Sequence, residues 1–120
     1  MIIGIGTDLI EIERVAKACE HNKFLLKYYT MQEIKLYGTS TVKLAGNFAV
    51  KEAVSKMLGT GFRNIKPIEI EVLRDTLGKP YVNLYGAASD LSKSIGIVNI
   101  FVSVTNTRIY ASAYVIGEGV

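Results

Sequence analysis

The sequence predicts an α+β fold, with helices packed on a mainly antiparallel sheet in a single small domain spanning residues 1–120. Three observations carry this. The segments run strand, helices, hairpin, helix, hairpin, so the strands cluster rather than alternate with helices. After Gly61 the apolar period changes from helical to two, with Ile68, Ile70 and Val72 alternating with Glu69, Glu71 and Leu73. Both paired strand segments are joined by short turns, DTLGK at 75–79 and TNTR at 105–108.

Residues 2–7 alternate apolar side chains with glycine and read as a short strand. Gly4 and Gly6 weaken a strand, and glycine there marks the close approach of a ligand or another backbone. DLIE then has the spacing of a helix start, with Asp8 as N-cap and Glu11 three residues on. That helix would turn Leu9, Ile12, Val15, Ala16 and Cys19 inward and Arg14, Lys17 and Glu20 outward. The pattern breaks at His21 and Asn22, and Phe24, Leu25, Tyr28 and Tyr29 form an apolar cluster. Thr30 and Glu33 of TMQE make a second capping box for a short helix ended by Gly38, and residues 39–41 hold the N-cap of the next.

The central helix is LAGNFAVKEAVSKMLGTG, Leu44 to Gly61. At about 100° per residue its apolar side chains spread around most of the circumference, as in a buried helix. Glu52 and Lys56 share one narrow side with Ala45 and Ala49, which leaves room beside the carboxylate. Two readings stay open: a solvated i,i+4 ion pair, or a charged group awaiting a metal or ligand. Pro80 opens a strand through Leu84, residues 86–95 form a helix, and 98–104 and 109–116 are the last two strands.

Composition narrows the classes. With 49% hydrophobic and 21% charged residues the chain is globular rather than disordered. No apolar run approaches the ~18 residues that cross a bilayer, and the start does not resemble a signal peptide. The lone Cys19 rules out an internal disulfide and fits a cytoplasmic setting. One histidine and one cysteine cannot build a zinc site, so any metal is hard and oxygen-liganded, such as Mg²⁺. His21 reads as a surface residue and Cys19 as a small core residue, and neither supplies a nucleophilic set. The net charge of +3 suits an acidic partner or a phosphate-bearing ligand. The basic residues are dispersed, which speaks against nucleic acid.

Asp8, Glu52 and the Gly59–Thr60–Gly61 loop could converge on a diphosphate. Two carboxylates with water and phosphate oxygens are how Mg²⁺ is commonly held. The loop with Arg63 offers N–H groups and a guanidinium to phosphate oxygens. Asp8 as a plain N-cap and the glycines as a plain helix terminus are the alternatives.

GIGTDLIEIER (4–14), the central LAGNFAVKEAVSKMLGTG (44–61), EIEVLRDTLGKPYV (69–82) and VSVTNTRIYASAYV (102–115) together resemble the holo-acyl-carrier-protein synthases, a 4′-phosphopantetheinyl transferase family. The resemblance covers essentially the whole chain. It implies the fold of that family, a homotrimer with sites between subunits, and coenzyme A as donor. The 4′-phosphopantetheine arm would pass to a serine of apo acyl carrier protein, releasing adenosine 3′,5′-bisphosphate, as a Mg²⁺-dependent step of fatty acid biosynthesis. Asp8 and Glu52 match the metal ligands and Lys56 the phosphate-contacting lysine. Gly59, Thr60 and Gly61 match the loop beside the nucleotide, Gly78, Lys79 and Pro80 its GKP turn, and Lys51 and Asn106 complete the coenzyme-binding set. Arg14 matches a position that docks the acidic carrier protein.

Two departures stand out. The family pattern Ser-x-Ser/Thr-His-Thr is SVTNT here, so Asn106 replaces histidine, and AGRF is AGNF, so Asn47 replaces a basic residue expected near the nucleotide. Asparagine donates a hydrogen bond but carries no proton at neutral pH. A paralogue that binds coenzyme A or carrier protein without turnover is the alternative reading these changes permit.

Overall fold

A computed structural model describes all residues from Met1 to Val120. The elements are β1 (Ile2–Glu11), α1 (Ile12–Cys19), α2 (Asn22–Tyr28), α3 (Met31–Tyr37), α4 (Thr41–Met57), β2 (Ile70–Arg74), β3 (Pro80–Leu84), α5 (Gly86–Ser94), β4 (Asn99–Asn106) and β5 (Tyr110–Glu118). An antiparallel sheet runs in the order β1-β5-β4, and β2 and β3 form a separate antiparallel hairpin. The α+β expectation holds.

The central helix is the hub. Ala49, Val50, Ala53, Val54 and Met57 of α4 pack with Ile70 and Val72 of β2 and with Ala113 and Val115 of β5 in the main core. Small residues on β5 (Ala111, Ala113, Gly117) let the sheet lie close on the helix. Gly4 and Gly6 serve the same end: a Cβ on Gly6 would collide with the carbonyl oxygen of Ala53, and one on Gly4 with that of Met57. The close partner implied by those glycines is the backbone of α4.

One expected boundary is corrected. Asp8 does not cap a helix; β1 runs on to Glu11, with Asp8, Leu9, Ile10 and Glu11 paired to Ala113, Ser112, Ala111 and Tyr110. Ladder hydrogen bonds to β5 outweigh a local Asp-x-x-Glu signal, and α1 starts four residues later without a side-chain cap. Leu9 therefore points outward from a strand and is exposed, while Ile12 and Val15 are buried as expected. The Thr30–Glu33 capping box forms as read, and Ser40 Oγ caps α4 by accepting from the Lys43 N–H. Ile68 lies in a 3₁₀ turn (Pro67–Glu69) ahead of β2, because Pro67 breaks the strand there.

Candidate active site

The alternation of β1 places Asp8. Gly4, Gly6, Asp8 and Ile10 lie on the α4-facing side, whereas Ile3, Ile5 and Leu9 are exposed. Asp8 is thereby delivered to the side of α4 that carries Glu52 and Lys56. The Lys56 ammonium is 3.2 Å from Asp8 Oδ1 and donates to the Thr7 carbonyl at 3.0 Å. The lysine is 52% exposed and the aspartate only 13%. The other carboxylate oxygen, Asp8 Oδ2, is buried and has no hydrogen-bond partner. Burial first, and then the neighbouring Asp8 charge, push the Glu52 carboxyl above the ordinary glutamate range, with Lys56 acting in the opposite sense. The two carboxylates thus sense each other across a cleft of about 350 Å³. Glu11 and Arg14 line it too, with the apolar Ile10, Val15, Phe24 and Phe48.

An orphaned buried carboxylate oxygen beside a second, destabilised carboxylate fits a divalent cation. The donors are all oxygen, as Mg²⁺ prefers, and two carboxylates leave most coordination positions to water and ligand oxygens.

A second cleft, about 230 Å³, opens at the other half of α4. It gathers Gly78 and Pro80 of the GKP turn and Asn106 at the end of β4. Lys79 is exposed beside it, and its N–H is held by Asp75 Oδ1 at 2.9 Å. Gly78 takes φ +88°, which glycine alone adopts without strain in this turn. Lys43 and Arg74 also line this cleft, and the sequence reading missed both. Arg74 ends a strand and Lys43 begins a helix, so neither belongs to a glycine or carboxylate pattern; only the fold joins them.

Lys51, one of the expected coenzyme contacts, does not fit. Lys51 is 1% exposed. Its ammonium is spent on Glu33 Oε1 at 2.8 Å, on the Pro67 carbonyl at 3.0 Å and on the Ile70 carbonyl. Five residues before Lys56, it projects to a different side of α4 and braces the core instead of a nucleotide. Asn47 is likewise fully buried, donating to Glu33 Oε2 and to the Val72 carbonyl, both at 3.0 Å, and it lines neither cleft. The Gly59–Thr60–Gly61 loop is the terminus of α4. The Gly59 N–H closes on Lys56 O and the Gly61 N–H on Ser55 O, with both glycines at positive φ. Those two N–H groups are engaged, that of Thr60 is not, and the loop lines neither cleft.

His21 is exposed, as expected. Cys19 is half-buried, its thiol pushed up by burial against the opposing effect of a long contact to the Tyr29 hydroxyl.

The structure is a small α+β domain with a carboxylate pair on one side of its central helix and a cationic cleft on the other, an arrangement suited to an enzyme. The family model described as the 4′-phosphopantetheinyl transferase superfamily matches residues 4–115. A holo-[acyl-carrier-protein] synthase from Lachnoclostridium phytofermentans is 65% identical over 98% of this chain and 97% of its own. Among solved structures, an acyl carrier protein synthase from Plasmodium yoelii with ADP bound superposes with TM-score 0.90 at 32% identity, covering 100% of this chain and 97% of that one. A holo-(acyl-carrier-protein) synthase from Bacillus anthracis in complex with CoA (3′,5′-ADP) matches with TM-score 0.83 at 32% identity, over 100% and 99%. The chain belongs to the holo-acyl-carrier-protein synthases of the phosphopantetheinyl transferase superfamily.

Proposed function

We propose that the chain, acting as one domain over residues 1–120, transfers the 4′-phosphopantetheine arm of coenzyme A to a serine of apo acyl carrier protein. The observation that carries this reading is the buried, unpartnered Asp8 Oδ2 in the cleft lined also by Glu52, whose carboxyl the Asp8 charge raises, with Lys56 paired to Asp8. Asp8 and Glu52 would hold Mg²⁺. Held there, the ion would supply charge neutralisation for the diphosphate.

The remaining work falls to the chain. A bond forms between the serine Oγ and the phosphorus bearing the arm, while the bond to adenosine 3′,5′-bisphosphate breaks. Lys56 is exposed enough to exchange its contact with Asp8 for a phosphate oxygen, bringing positive charge where negative charge develops. Asn106 can donate an amide hydrogen bond but takes up no proton, so it is not the base for the serine, and an ordered water would aid proton removal. Arg14, exposed at the rim of the Asp8 cleft, is placed to meet an acidic carrier protein.

The reading includes a homotrimer. Lys43 and Glu52 are nine positions apart on α4, which at about 100° each sets them on opposite sides. The two clefts of one protomer thus face apart, and a site between copies would join unlike clefts. The outer face of the β1-β5-β4 sheet exposes Ile3, Ile5, Leu9, Phe101, Tyr114 and Ile116, a patch suited to burial against a neighbour. A role in fatty acid biosynthesis and a cytoplasmic setting belong to the same reading. No helix is long and apolar enough to cross a membrane.

The test is the mass of an apo carrier protein incubated with coenzyme A and this protein. A gain equal to the phosphopantetheine arm, lost when Mg²⁺ is chelated, supports the reading. Binding without mass gain would favour the non-catalytic paralogue.

A further inference from the structure

α2 is held to the body of the protein unevenly. None of its residues is fully buried, and no side chain caps its start. Its C-terminal end is pinned by the residue that follows: Tyr29 is 1% exposed, and its hydroxyl donates to the Leu44 carbonyl at 2.8 Å. Toward the N-terminal end the hold is aromatic. Phe24 and Tyr28, one turn apart on α2, stack with ring centroids 4.3 Å apart and planes 20° from parallel. Tyr28 in turn lies 5.5 Å from the Phe48 ring of α4 at 27°, nearer than Phe24, which stands 6.2 Å from it. The three half-buried rings make one stack that joins α2 to α4.

The stack bridges a seam in the core. Phe48 packs with Ile12, Val15, Ala45 and Ala111, whereas Phe24 and Tyr28 pack with Tyr29, Tyr37 and Leu44. The Asp8–Glu52 cleft opens on that seam. Phe48 lines it from the first group and Phe24 from the second, while Tyr28 lines no cleft at all. Phe48 is one turn before Glu52 on α4, so ring and carboxylate share a side. The seat of α2 therefore decides how far Phe24 stands from Glu52 and from Arg14, which lines the same cleft from α1. α2 also carries the exposed Lys23 and Lys27 and no acid, so its placement bears on an acidic partner.

We propose that Tyr28 is a positioning residue for carrier-protein recognition. Its ring clamps Phe24 to Phe48 and so fixes one wall of the cleft, with the lysines of α2, relative to Arg14 and the Asp8–Glu52 pair. The proposal rests on the transferase reading for the identity of the partner. The contacts are made by the ring, so phenylalanine would serve equally. An aliphatic side chain would fill part of the space without the ring-to-ring attraction.

Calorimetric titration of the full-length protein with apo acyl carrier protein, run beside steady-state transfer kinetics, tests it. Tyr28→Ala should weaken carrier-protein binding by about tenfold, as the loss of two aromatic contacts implies. The KM for carrier protein should rise by the same factor, while kcat and the KM for coenzyme A stay within about twofold of the wild type. Tyr28→Phe should match the wild type, and Tyr28→Leu should fall between Tyr28→Phe and Tyr28→Ala. Unchanged carrier-protein affinity in Tyr28→Ala, or equal losses toward both substrates, would overturn the proposal, even if the variant is less stable to urea. Should Tyr28→Ala fail to fold, Tyr28→Leu binding carrier protein as tightly as Tyr28→Phe would overturn it alone. Wild-type transfer separates the two readings. Transfer with equal carrier-protein affinity in the wild type and Tyr28→Ala sinks the role of Tyr28 only. Binding that weakens in Tyr28→Ala, with no transfer by the wild type, sinks the transferase and keeps the positioning role.

Discussion

Lys56 Nζ lies 3.2 Å from Asp8 Oδ1, joining the first strand to the central helix across 48 residues of chain. The pair occupies one oxygen of Asp8 and leaves the other buried and free. Replacing Asp8 or Glu52 with alanine should therefore leave the fold intact and cut Mg²⁺-dependent transfer by at least about a hundredfold, as removal of one electrostatic stabiliser does elsewhere. Carrier-protein mass gain and Mg²⁺ titration calorimetry check this; wild-type rates in either variant would count against the assignment.

Asn106→His restores the residue of the family pattern. If a base were the missing ingredient, the gain would be about 10²–10⁴-fold. The expected gain is under about tenfold, because charge neutralisation supplies most of the rate in phosphoryl transfer. Single-turnover rates for the two proteins decide between them.

Arg14→Glu should raise the KM for acyl carrier protein by about tenfold, or roughly 1.4 kcal/mol, with little change in that for coenzyme A. The effect should shrink as salt rises, since Arg14 is exposed. Steady-state kinetics at two ionic strengths measure it, and equal shifts for both substrates would remove the docking role.

Much of this site was legible before the fold was known, but for uneven reasons. Asp8, Glu52 and Lys56 sit in short motifs whose residue types announce their chemistry. The role given to Asp8 as a helix cap was wrong because pairing with β5, about 100 residues away, decides where β1 ends. Lys51 looked like a partner for phosphate only because nothing local shows that Glu33, 18 residues earlier, waits for it in the core. Arg74 and Lys43 carry no motif, and their meeting over Tyr37 is a property of tertiary packing alone.

Lys51→Met should destabilise the protein by about 3–5 kcal/mol, the cost of stranding a buried carboxylate. Glu33 would keep only Asn47 and the Thr30 N–H as partners. Urea denaturation measures the loss. Coenzyme A affinity of the fraction that remains folded should match the wild type, which a nucleotide-contacting lysine would not allow.

Glu71 gives the pH dependence a sign. Burial alone would raise its carboxyl, but hydrogen bonds from Thr30, Asn83 and Tyr85, together with the Lys51 charge, hold it below the ordinary glutamate range. A depressed acid stabilises the fold above its unfolded value, about 4.5. That contribution is lost as pH falls through the lower folded value. Glu71→Gln should therefore be less stable than the wild type by about 1–3 kcal/mol at neutral pH, with the gap closing in acid. A gap independent of pH between neutrality and the acid limb would contradict this.

The empty position at Gly6 reaches further than its own contact. Asp8 lies two residues along the same strand, on the same face, so the distance at which β1 rides over Ala53 also sets how far one acid stands from the other. A single methyl at position 6 would lift the strand like a shim under a hinge, and the gap between the two carboxylates would widen with it. The separation of Asp8 and Glu52 is thus set by an atom that the sequence withholds.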